Sequence, residues 1–92
     1  MGYMSDIQST YLDENGAIFT GRTRVKGVYI SPDTGVGVVE ITDGNGGPTL
    51  YKIDVPAGSS AIYMNLPEDG ILFKNGAYAD LTTVISATFF WA

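Results

Sequence analysis

The chain has no cysteine and no histidine, and its 92 residues include only five basic and ten acidic side chains. Each shortage excludes something. Without cysteine no disulfide can staple a small fold, and without either residue the usual ligand sets of zinc are missing. The same gaps remove ordinary nucleophile–base pairs and the histidine general acid, so an enzyme is not expected. No stretch approaches the ~18 consecutive apolar residues of a membrane-spanning helix. Met1-Gly2-Tyr3-Met4-Ser5-Asp6 lacks the basic start and apolar run of a secretory signal, which leads to the expectation of a protein made in the cytoplasm and used without export through the usual pathway.

What is present is apolar for so small a chain. Charged residues make up 16%, against about 25% in typical soluble domains. Hydrophobic residues reach 45%, and the mean hydropathy is +0.11. A domain of this length buries roughly 60–65% of the surface its unfolded chain exposes, so its core is thin. With disulfides and zinc excluded, self-association is the remaining route to extra stability. The net charge of −5 and pI near 4.2 disfavour phosphate backbones and anionic membranes as partners. No cofactor is implied.

No segment has helical periodicity. Runs of β-branched and aromatic residues are closed by Gly, Asn, Asp or Pro instead. Residues 1–16 read as an N-terminal arm, containing Ile7 to Leu12 and ending at the Asn15-Gly16 turn signal. Strands are expected over Ala17–Thr20, Arg22–Ser31, Val36–Thr42, Thr49–Val55, Ser60–Leu66, Ile71–Lys74, Tyr78–Leu81 and Thr83–Trp91. All four prolines fall at or beside strand ends, where a missing N–H breaks no ladder bond. The spacing predicts one all-β domain over residues 1–92, an antiparallel β-sandwich of about eight short strands with jelly-roll-like topology.

Four constellations bear on function. In the last strand, alternation places Ile85, Ala87, Phe89 and Trp91 on one face and Val84, Ser86, Thr88 and Phe90 on the other. Neither face is clearly polar. The strand is either central and covered on both sides, or Val84, Phe89, Phe90 and Trp91 supply anchors for a neighbouring subunit. Tyr63 is a further interface candidate, or a tyrosine with its hydroxyl in solvent. Arg22, Arg24 and Lys26 alternate along their strand; they either dock an acidic surface or protect a solvated strand edge from stray pairing. Asp43-Gly44-Asn45-Gly46-Gly47 has the look of a calcium loop, but Pro48 stands at its sixth position and Asp54 at its twelfth, so a flexible hairpin loop is expected, with an unconventional Ca²⁺ site as the other reading. The neighbouring acids Glu68 and Asp69 sit in an expected open turn, where nothing desolvates either one.

The stretch Gly58-Ser59-Ser60-Ala61-Ile62-Tyr63-Met64-Asn65-Leu66-Pro67-Glu68-Asp69-Gly70-Ile71-Leu72-Phe73 resembles small proteins of tailed bacteriophages, notably marine phages of cyanobacteria and related hosts. The likeness continues through Gly76, Tyr78, Leu81-Thr82 and Phe89-Phe90-Trp91, and covers roughly the last 35 residues. It implies a virion structural protein of the capsid-decoration (cement) type, one that forms homotrimers and binds a larger capsid or tail protein. It implies no catalytic residue. The other reading of the same β module is a tail-associated, host-receptor or carbohydrate-binding domain, with Tyr29, Tyr51, Tyr63, Tyr78 and Trp91 as stacking faces.

Overall fold

Alternation of apolar and polar residues over short runs leaves every segment with one face to hide, and the chain hides them by stacking two sheets. The computed structural model describes residues 7–66 and 70–92. The first six residues of the expected arm and the Pro67-Glu68-Asp69 turn, with its two acids, lie outside them.

The described residues form nine strands: β1 (Gln8–Leu12), β2 (Gly16–Phe19), β3 (Thr23–Pro32), β4 (Gly37–Asp43), β5 (Thr49–Val55), β6 (Ile62–Asn65), β7 (Ile71–Phe73), β8 (Ala77–Thr82) and β9 (Val84–Trp91). The first sheet has the order β1-β9-β3-β6, with β7 continuing the β6 edge along the start of β3. The second has the order β2-β8-β4-β5. Every pairing is antiparallel. Only the β4–β5 hairpin and the β6–β7 step stay within a sheet; the other connections cross between sheets. That order is the one produced by two Greek keys wound together, a jelly roll. The ninth strand comes from the arm: β1 lies along β9, with Gln8 opposite Trp91 and Leu12 opposite Ala87.

The core lies between the inner faces. Val25, Val28, Ile30, Phe73, Ala87 and Phe89 enter it from the first sheet. Ile18, Val39, Ile41, Ile53, Val55, Ala77 and Ala79 meet them from the second. Small alanines on β8 and β9 leave room for Phe73 and Phe89, each worth about 1.5–3 kcal/mol of burial.

Two irregularities decide which way side chains point. Opposite Trp91 and Phe90 stand Val25 and Gly27, so Lys26 is an extra residue in β3. The inward set therefore changes phase, from Thr23 and Val25 to Val28 and Ile30. At the other end, Ser86 and Val84 face Ser31 and Pro32, which leaves Ile85 extra in β9. Each is a bulge, two residues set against one, and each turns the chain's facing over.

Candidate functional site: the outer face of the first sheet

In-register pairing assembles on this face a row that no single strand contains. Phe89 and Val28 point inward, so their neighbours point out: Tyr11, Thr88, Tyr29 and Tyr63 stand directly opposite one another across β1, β9, β3 and β6. The next row is Ser9, Phe90, Gly27 and Asn65. Strands lie about 4.8 Å apart, so these side chains form one continuous surface.

Three tyrosines dominate it, with 64% of Tyr11, 43% of Tyr29 and 56% of Tyr63 exposed. Phe90 lies half-buried among them, its ring meeting Tyr63 edge-on at 6.1 Å. The Tyr63 hydroxyl donates to Asn65 Oδ1 at 2.8 Å, which fixes the ring's direction. Gly27 makes this possible. A Cβ there would stand 3.2 Å from the Met64 carbonyl, 3.4 Å from the Tyr63 hydroxyl and 3.6 Å from the Phe90 ring. Rings folded over a bare glycine are a known way of completing a sheet surface.

The face is also poor in charge, with only the β3 cations Arg24 and Lys26 beside these rows among the described residues. Strands β1, β6 and β9 carry no charged residue at all. The outer face of the second sheet is the reverse, with Asp80, Glu40 and Lys52 in one cross-strand row and Asp54 beside Val38. Among the described residues, the strands of this sheet hold no acid, on a protein of net charge −5. Aromatic residues with charge depleted at the centre is the composition of a protein–protein interface core.

The residues expected at an interface separate into two groups. Tyr63 and Phe90 lie on this face. Phe89 does not: it points inward with 0% exposure, out of a partner's reach. Trp91 also turns toward the core, where it stacks on Phe19 at 4.4 Å and donates from Nε1 to Thr10 Oγ1 at 2.9 Å. Thr10 in turn donates to the Ile18 carbonyl, so this cluster ties β9 and β1 to β2 and closes one end of the sandwich. Val84 is half-buried against the core. Ile85, expected beside Phe89, is turned out to solvent by its bulge.

The basic residues keep their alternation: Thr23 and Val25 are buried, so Arg24 and Lys26 face outward on β3. Arg22 precedes β3, Arg24 sits opposite Leu72, and Lys26 is the bulged residue. But β3 is not an edge, since β9 pairs with one side and β6 and β7 with the other. These three cations therefore protect no open strand edge. Of the expected stacking residues, Tyr51 packs against the core and Tyr78 lies on the outer face of the second sheet. Asp43 serves the fold. Its carboxylate accepts from the Asn75 backbone N–H at 2.9 Å and from Asn75 Nδ2 at 3.0 Å, joining two turns. Among the described residues no group of three or more acidic side chains is placed to hold a metal.

Tyr11 joins the site although nothing in the sequence singles it out, and Tyr29 gains a place in a row rather than a lone ring. The one local signal is parity, since Ser9 and Tyr11 alternate with Gln8, Thr10 and Leu12. It becomes readable only once β1 is known to pair with β9. Scans of protein-family models, of curated proteins and of solved structures return no match to this chain.

Proposed function

We propose that the chain is a non-enzymatic structural protein of a bacteriophage virion, of the capsid-decoration type, which self-associates and docks on the shell through the outer face of its first sheet. The observation that carries this reading is the neutral row of Tyr11, Tyr29 and Tyr63 with Phe90, on a protein that is otherwise acidic. Two copies of an acidic protein repel each other over most of their surfaces, and among the described residues the strands of this side bring no carboxylates into opposition. A trimer is the expected assembly. The phage-like segment from Gly58 to Phe73 and the aromatic end support the setting, as does a jelly roll, an architecture shared by viral shells and lectins. Architecture alone selects neither.

Sedimentation of the pure protein tests self-association, and the genes flanking its own test the setting. Oligomers that dissociate when the face is altered, with capsid, portal or tail genes alongside, are the expected results. A strict monomer at millimolar concentration, or a neighbourhood of metabolic genes, overturns the reading.

A further inference from the structure

On the side of the sandwich away from the tyrosine face, the ends of β2 and β8 and the turns at Gly44-Asn45 and Asn75-Gly76 surround a hollow of about 260 Å³. We propose that it is a binding site for one neutral sugar ring, such as the terminal residue of a glycan. Such a site is separate from the assembly face and does not depend on it.

Size, shape and chemistry each narrow the ligand. Pockets for drug-sized molecules start at about 300 Å³, so this one suits a single ring. Phe19 and Tyr78 supply aromatic surface and Ala17 a small floor residue, which matches the apolar C–H face of a pyranose. Around them stand the Asn45 and Asn75 amides and the Thr20 hydroxyl, and no residue of the lining is charged. Sugar hydroxyls both donate and accept, and amides and hydroxyls answer them in both senses. An anion would find no cation here, and would meet the Asp43 carboxylate just behind Asn75.

The hollow is also set before any ligand arrives. Asp43 can only accept, so Asn75 must turn its Nδ2 toward it, at 3.0 Å. This leaves Asn75 Oδ1 directed elsewhere as an acceptor. The Gly44 N–H donates to the Gly76 carbonyl at 2.8 Å, pinning the two turns together. Gly76 takes φ +104°, and a Cβ there would come within 2.9 Å of the Phe19 carbonyl. Behind the site, Trp91 stacks on Phe19 and holds its ring. Among the described residues, the Asn45 amide and the Thr20 and Tyr78 hydroxyls make no intramolecular hydrogen bond, so they are available to a ligand. Docking through the opposite sheet would leave the hollow facing outward.

The test is titration of isotope-labelled protein, followed by backbone amide NMR. The probes are methyl glucoside, methyl galactoside, methyl mannoside and N-acetylglucosamine, with glucuronate as the charged comparison. One-ring ligands bind at about 1 mM at best, so each is taken to roughly 100 mM. The expected result is saturable shifts at Asn45, Asn75, Gly76 and Ala77 with at least one neutral sugar, and weaker binding of glucuronate. Ala17→Trp, at an exposed position, fills the hollow and abolishes those shifts; Asn45→Ala weakens binding by about 5-fold, the scale of one hydrogen bond. Tyr29→Glu, on the other sheet, leaves the affinity unchanged whether or not it alters sedimentation. No saturable shift with any neutral sugar, shifts gathered instead at Tyr11, Tyr29 and Tyr63, or tighter binding of glucuronate each overturns the proposal.

Discussion

Tyr29→Glu is the most direct challenge to the assembly proposal. Tyr29 stands in the middle of the row, flanked by Thr88 on β9 and Tyr63 on β6, and 43% of it faces solvent. A tyrosine presents 150–250 Å², so about 85 Å² remains to be covered by a partner. At roughly 25 cal/mol per Å² that area is worth about 2 kcal/mol, or near 30-fold in the dissociation constant. Replacement by serine removes that much. Glutamate does more, because a carboxylate enclosed in an aromatic contact costs several kcal/mol of desolvation. The fold itself loses only a cross-strand pair, about 0.2–1 kcal/mol, so urea midpoints of the variant and parent stay close. Sedimentation velocity over a concentration series reads the outcome. Wild type is expected to shift to larger species as concentration rises, with Tyr29→Ser displaced toward higher concentration and Tyr29→Glu remaining a monomer. If all three sediment alike and keep their urea midpoints, the tyrosine face is not the contact and the assembly proposal fails.

Three further expectations concern stability. Phe89→Ala empties a fully enclosed site and costs about 3–5 kcal/mol, a large part of what so small a domain has, whereas Phe90→Ala, on the half-covered outer side, costs much less; denaturant curves compare them. Thr10→Val removes both the acceptor for Trp91 Nε1 and the donor to the Ile18 carbonyl, so about 1–3 kcal/mol is lost, with faster amide exchange over Gln8–Leu12 and red-shifted tryptophan emission; unchanged exchange in β1 would contradict the clasp. Thr83 joins β8 to β9 at φ 51°, a left-handed conformation that a β-branched residue tolerates poorly, so Thr83→Asn is expected to raise the thermal midpoint by a few degrees, for a relief of about 1 kcal/mol.

The legible part of this protein was whatever depends on neighbours in the chain. Strand runs closed by Pro, Gly, Asn or Asp follow from local alternation and backbone preference. Even the jelly-roll expectation drew on strand count and spacing, which are properties of the linear order. The facing of β9 was not legible in the same way. Strict alternation put Ile85 with Phe89; one extra residue opposite Ser31 and Pro32 reversed it, and a bulge leaves no mark in a hydrophobic pattern. Trp91 misled for a related reason. A tryptophan at a strand end suggests an exposed anchor, but its partners Thr10 and Phe19 come from the opposite end of the chain and become neighbours only when the sheets stack.

The same division separates composition from site. Shortage of charge, absence of cysteine and histidine, and abundance of β-forming residues were complete in the amino-acid order, because they are sums over the chain or patterns over a few residues. The tyrosine face and the hollow belong to tertiary structure. Tyr11, Tyr29 and Tyr63 come from three strands that are distant in the chain, and only antiparallel register sets them side by side. Asn45 and Asn75 meet because one carboxylate, Asp43, bridges their turns across 32 positions. Contacts of this kind follow from which strands pair, and pairing is settled by burial of the whole core rather than by any one segment.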